Sequence, residues 1–192
     1  VVAGFHEPVR FGSGEARHWR LGGLDLFVRC MYDGWLVQTL VGHSEAEVER
    51  PDILAAPIDW KPDNSATDVI RYYTGEAASE VLRLTPLLPD RPVVARPIEP
   101  FAIAPGQSAS LFVGVPLWLQ LVTGDEAHLV AHPSARLADT WFGPSTRSGE
   151  LCYASLTSCR TSVAEMLPSS WRAVTPLVLE NQGTDVWSLD RV

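Results

Sequence analysis

The chain has 192 residues, of which 46% are hydrophobic and 20% charged, an ordinary globular composition that excludes wholesale disorder. A formal net charge of −8 would repel a phosphate backbone, and no cluster of Lys or Arg overrides that field, so nucleic acid is not an expected partner. The longest apolar run, residues 111–119, is broken by Gly114 and Pro116 and falls far short of the roughly 20 residues that a transmembrane helix needs.

The 15 Pro and 14 Gly are spread along the chain, which suits short strands and turns better than long helices. Three cysteines, Cys30, Cys152 and Cys159, are too few and too odd in number for a disulfide framework, so a reducing, cytoplasmic setting is expected. No secretory leader pattern stands at the start. The chain opens on Val1 rather than Met and closes on Val192 inside a strand-like stretch, the expectation being truncation at one or both ends.

In chain order, residues 24–32 and 35–41 are rich in β-formers and flank Asp33-Gly34, which predicts a hairpin. The register centred on that dipeptide sets Tyr32 opposite Trp35, Cys30 opposite Val37 and Val28 opposite Thr39, leaving one face nearly all apolar with Cys30 in the core. Ser44 to Glu47 has capping-box spacing for a helical turn or two. Residues 55–66 read as a loop, and residues 69–73 and 81–84 as strands that join the hairpin in a first sheet. From Pro86 to Pro105 the close proline spacing predicts extended edge chain crossing between sheets, closed by a turn at Pro105-Gly106.

Residues 110–115 and 117–122 form an apolar ribbon broken at Pro116 and closed at Gly124-Asp125, with a pattern of burial on both faces. Residues 151–156 and 159–163 are expected to pair around Thr157-Ser158, which would set Cys152 and Cys159 too far apart for a disulfide. A short turn is expected from Ser162 to Glu165. Residues 173–180 and 184–190 flank Asn181-Gln-Gly183, the pattern of a three-residue hairpin loop.

The densest segment is Asp139-Thr-Trp-Phe-Gly-Pro-Ser-Thr-Arg-Ser-Gly-Glu150, read as a structured loop that runs into a strand through Ser155. This segment resembles an uncharacterised prokaryotic family, domain of unknown function 432. Leu84-Thr-Pro-Leu-Leu-Pro-Asp-Arg-Pro-Val-Val-Ala-Arg-Pro97 and Pro116-Leu-Trp-Leu-Gln-Leu121 carry the same resemblance, which is firm from Leu84 onward and looser over residues 19–37. The resemblance brings no assigned activity and implies a chain that continues past Val192.

Within residues 143–149 the glycine N–H groups, the hydroxyls of Ser145, Thr146 and Ser148 and the guanidinium of Arg147 are the parts of an oxyanion site, flanked by Trp141, Asp139 and Glu150. The plainer alternative is a self-satisfied loop in which Arg147 forms a largely buried ion pair with Asp139 or Glu150 and the hydroxyls cap main-chain groups. A nucleophilic role for Cys152 or Ser145 lacks a nearby base, and Cys152 shares a strand face with Ala154 and Leu156, as core residues do. His128 and His132 sit in a strand-like segment that would part their rings by roughly 13 Å, too far for one metal. Of seven tryptophans, Trp35, Trp118 and Trp187 lie in strand patterns as core, while Trp60 and Trp141 are candidates for a stacking surface.

The sequence therefore predicts a mainly β, antiparallel, sandwich-like protein of two packed sheets with Pro-rich connections and at most short helical turns. It reads as one domain over residues 1–192 with sub-lobes 1–85 and 86–192. The expected function is a non-enzymatic binding or protein-interaction module. The alternative is an enzyme or sensor acting on a small anionic ligand through residues 143–149, with no catalytic residue, metal or cofactor assigned.

Overall fold

The computed structural model describes residues 4–42, 52–62, 68–75, 80–157, 159–166 and 169–191. These residues are mainly β, as the sequence predicts, and their strands separate into two compact units. One unit holds the described residues up to 88 together with residues 117–136. The other holds residues 89–116 and those from 137 onward.

The first unit contains a five-stranded antiparallel sheet in the order β5 (Ile53–Ile58), β2 (Ala16–Leu21), β3 (Leu24–Met31), β4 (Gly34–Val41), β6 (Val69–Tyr73). A second sheet runs β1 (Val9–Arg10), β7 (Val81–Leu87), β11 (Trp118–Thr123), β12 (His128–Pro133). Alternation drives the packing: Leu24, Leu26, Val28 and Cys30 of β3 are buried on one face, joined by Trp35 and Val37 of β4. Leu82 and Leu84 of β7 and Leu119, Leu121, Val122 and Thr123 of β11 are the buried residues of the second sheet. Phe11 meets Trp35 edge-on at 5.0 Å and lies 6.1 Å from Trp19. Each fully buried side chain of this kind contributes about 1.5–3 kcal/mol.

The predicted hairpin forms with its two-residue turn one position earlier than expected, which shifts each residue's cross-strand partner by two. Cys30 faces Trp35, Val28 faces Val37, and the turn is Tyr32-Asp33. Gly34 belongs to the strand at φ +153°, where any Cβ would run into the Tyr72 carbonyl, so this glycine serves the close approach of β6 rather than the turn. A shift of two keeps every side chain on its own face, which is why the apolar face survives the correction.

Other expectations need correcting. Residues 53–58, read mostly as loop, form the edge strand β5, where Pro57 sits opposite Arg17 and its missing N–H is tolerated at a sheet edge. The strand at 81–87 joins the second sheet instead of the hairpin. The capping-box segment at 44–47 and residues 63–66 of the expected loop lie outside the described residues.

The second unit has a three-stranded sheet in the order β13 (Ala138–Ser145), β14 (Ser148–Thr157), β8 (Val93–Pro97), with β8 parallel to β14. Two ribbons accompany it: β10 (Ser108–Pro116) with β15 (Arg172–Glu180), and β9 (Phe101–Ile103) with β16 (Trp187–Leu189). Pro86 lies in β7, an inner strand of its sheet, beyond the two residues that β1 covers, whereas the rest of the Pro-rich segment is extended as expected through the edge strand β8, and Gly106 closes its turn at φ +68°. Ser162 caps a 3-10 turn over Val163–Glu165.

Neither hairpin expected in the last third forms. Thr157 ends β14, and Arg160 instead exchanges main-chain hydrogen bonds with Phe112. β15 turns to β10, and β16 to β9, because Asn181 fixes the crossing. Its buried Nδ2 donates to the Ile103 and Asp185 carbonyls, both at 2.8 Å, and its Oδ1 accepts from Gly183 N at 3.0 Å.

Candidate functional site

The segment 139–150, expected as an irregular loop, is a strand, a two-residue turn and a strand. β13 and β14 pair from Ala138 opposite Ala154 up to Ser145 opposite Ser148, leaving Thr146-Arg147 as the turn. A register irregularity between Phe142 and Ser145 brings Gly143 against Gly149. A Cβ on Gly143 would collide with the Ser148 carbonyl and the Gly149 Cα, so this close approach depends on both glycines.

The tip satisfies itself. Ser145 Oγ accepts from the main-chain N–H of Ser148 at 3.1 Å and of Arg147 at 3.3 Å, while the Trp141 indole Nε1 donates to the Ser145 carbonyl at 2.8 Å. The hydroxyl expected to bind an anion is thus already engaged in the turn. Arg147 is exposed and, among the described residues, forms no ion pair, which overturns the expected buried bridge. For Asp139 the reason is geometric, since it stands six residues down the strand from Ser145, roughly 20 Å at about 3.3 Å per residue.

Asp139 instead pairs with Arg91 at 3.2 Å. The Arg91 guanidinium lies 5.3 Å over the Tyr153 ring, whose hydroxyl donates to Asp90 at 3.0 Å, and Arg96 donates to Thr140 Oγ1 at 3.1 Å. Burial and the hydrogen bond to Asp90 raise the Tyr153 pKa. The base of the hairpin is therefore clamped from the segment around β8, a non-local pairing with no local sequence signal.

Above this base the hairpin is exposed on both faces. Trp141, Phe142 and Leu151 are 43%, 45% and 46% exposed; Trp141 and Leu151 are cross-strand partners, and Phe142 sits opposite Glu150. Residues 141–151 are all exposed, so the hairpin stands out as an arm with apolar side chains on both sides. A shallow recess beside it is lined by Phe142, Gly143, Pro144 and Arg191, and Arg191 is engaged by Asp190 at 3.2 Å. Cys152 at the base is buried, and burial raises its thiol pKa, as a core residue requires. The rest of its expected face fails, because Leu156 is exposed and Ser155 and Thr157 turn inward.

A family model described as "Protein of unknown function (DUF432)" matches residues 5–192. The chain belongs to this family. No curated protein and no solved structure matches it. In this DUF432 chain, no group of three or more His, Cys, Asp or Glu is placed to hold a metal among the described residues, and no helix among them is long and apolar enough to cross a membrane. His128 and His132 both lie on β12, as their strand pattern predicts.

A second cluster of the DUF432 chain escaped the sequence reading. On the five-stranded sheet, His18 Nε2 lies 2.7 Å from Asp25 Oδ1, and Arg20 donates to the same oxygen at 2.9 Å. The His18 ring stacks on Phe27 at 4.5 Å, and Phe27 stacks on Trp60 at 5.8 Å with the Arg29 guanidinium 6.0 Å from the Trp60 ring. Trp60 is thus one end of an aromatic row. Trp187, expected in the core, is 42% exposed.

Proposed function

We propose that this DUF432 chain is a non-enzymatic interaction module that presents the β13–β14 arm to a protein partner in the cytoplasm. The observation that carries this reading is the arm itself: Trp141, Phe142 and Leu151 are exposed on both faces of a hairpin whose turn is internally satisfied. Large aromatic side chains ordered yet half out of the core are the usual anchors of protein contacts. The acidic charge argues against nucleic acid as the partner. The cytoplasmic setting rests on the odd number of cysteines, all three of them free thiols.

Capture from an extract of the source cells tests the reading, using wild type, a Trp141→Ser/Phe142→Ser/Leu151→Ser variant and a Tyr32→Ser control at an exposed aromatic elsewhere. A protein held by wild type and by the control but lost by the arm variant is the expected result. Equal capture by all three overturns it.

The second reading, an enzyme or sensor for a small anion at residues 143–149, draws on one observation, that Arg147 is exposed without an ion pair among the described residues. Titration with inorganic sulfate, followed by heat and by tryptophan fluorescence, tests it. Saturable binding lost in Arg147→Ala would establish that reading in place of the first.

A further inference from the structure

We infer that the outer edge of β13 pairs with β13 of a second copy, antiparallel about a two-fold axis, joining two three-stranded sheets into one. This rests on reading the arm as an interaction surface, and it names the partner.

β13 is the edge strand of its sheet, bonded to β14 on one side, and among the described residues no main-chain group of residues 138–145 bonds to any other segment. Such an edge is a template for another strand unless it is guarded. The opposite edge is guarded, since β8 is preceded by Pro92 and ends on Pro97. β13 has Pro144 near its tip, which leaves residues 138–142 free of proline.

Symmetry restricts the register. Paired residues share a sheet face, and a two-fold axis normal to the sheet keeps each residue on its own face, so one residue must lie opposite its own copy. The proline-free stretch Ala138-Asp-Thr-Trp-Phe142 is centred on Thr140. With Thr140 on the axis, Ala138 faces Phe142 of the second copy, small against large. Asp139, already neutralised by Arg91 at 3.2 Å, faces Trp141 of the second copy, which sets a guanidinium beside an indole. Asp139 is the one charged residue of the stretch, so no like charges are opposed.

Each copy carries a formal net charge of −8, which opposes the approach. Few residues pair, so the dimer is weak and concentration-dependent, and added salt strengthens it by screening that repulsion. A contact held by opposite charges would weaken instead.

Sedimentation equilibrium of the full chain from micromolar to millimolar concentration, at low and high sodium chloride, is the test, with amide hydrogen exchange at both ends of the range. The expected result is a mass rising toward twice the monomer, more so at high salt, with residues 138–142 gaining protection as concentration rises. Phe142→Lys, which leaves the Trp141 to Ser145 hydrogen bond in place, should shift the dimer constant at least tenfold toward monomer. A dimer whose 138–142 amides gain no protection overturns the proposal. So does a chain monomeric throughout; if the arm variant then still loses a captured protein, the arm remains a surface for a different partner.

Discussion

Asn181 ties its own turn to β9 through one amide, bonding Gly183 and Asp185 within the turn and Ile103 across from it. Asn181→Ala leaves the buried Ile103 carbonyl and the part-buried Asp185 carbonyl without that donor, at a cost of about 1–3 kcal/mol. Asn181→Asp should also destabilise, since a carboxylate cannot donate, and urea unfolding of both variants checks this. His132, opposite Leu119 on β12, has its pKa lowered by burial. The unfolded imidazole titrates near 6.5, so just below that pH the unfolded chain holds more protons than the folded one. Stability from this residue is therefore complete above about pH 6.5 and lost as pH falls below it. The melting temperature of wild type should fall relative to that of His132→Gln as pH drops below about 6.5. Arg147→Ala should leave the unfolding midpoint unchanged, the outcome for an exposed side chain without an ion pair, where the sequence alone predicts a large loss.

At the level of elements, the arm depends on Gly143 and Gly149. Gly143→Ala drives a methyl into the facing strand, but the arm is exposed, so the damage should stay local. The expected outcome is faster amide exchange over residues 141–151 with little change in the global melting temperature; equal loss of both would show that the arm is part of the core. The same exposure explains why the arm was hard to read. Residues 24–41 announce a hairpin because one face is dry and the apolar period is two. Residues 139–150 bury neither face, so no period marks them as strand. The clamp by Asp90, Arg91 and Arg96 was hidden for a different reason: β8 and β14 pair in parallel across more than fifty residues of sequence, and no local pattern encodes that partner. Asn181-Gln-Gly183 carries a turn signal that is correct, yet a buried side-chain amide, not a ladder, decides where the chain goes next.

Across the whole molecule, mainly β structure was legible because composition, proline spacing and short apolar runs all point the same way. The pairing of β7 with β11 was not, since it depends on contacts between residues more than thirty positions apart. Charge is a further property of the whole chain, with 23 acidic against 15 basic residues giving the net −8. Ion pairs offset this locally, but pairs such as Arg10–Glu80, with side chains 76% and 50% exposed, are worth little and lose little when screened. The excess charge acts over longer range, and the Debye length shrinks from about 30 Å at 0.01 M salt to about 3 Å at 1 M. Self-repulsion should therefore weaken faster than the pairs do, and the melting temperature should rise gradually with sodium chloride. That rise should be the same in Arg147→Ala, because it comes from the whole charge distribution. Sulfate at matched ionic strength separates this field effect from a site. A melting temperature that saturates at low sulfate concentration and loses that response in Arg147→Ala would mean that the tip of the arm binds the anion, despite the engagement of Ser145 Oγ in the turn.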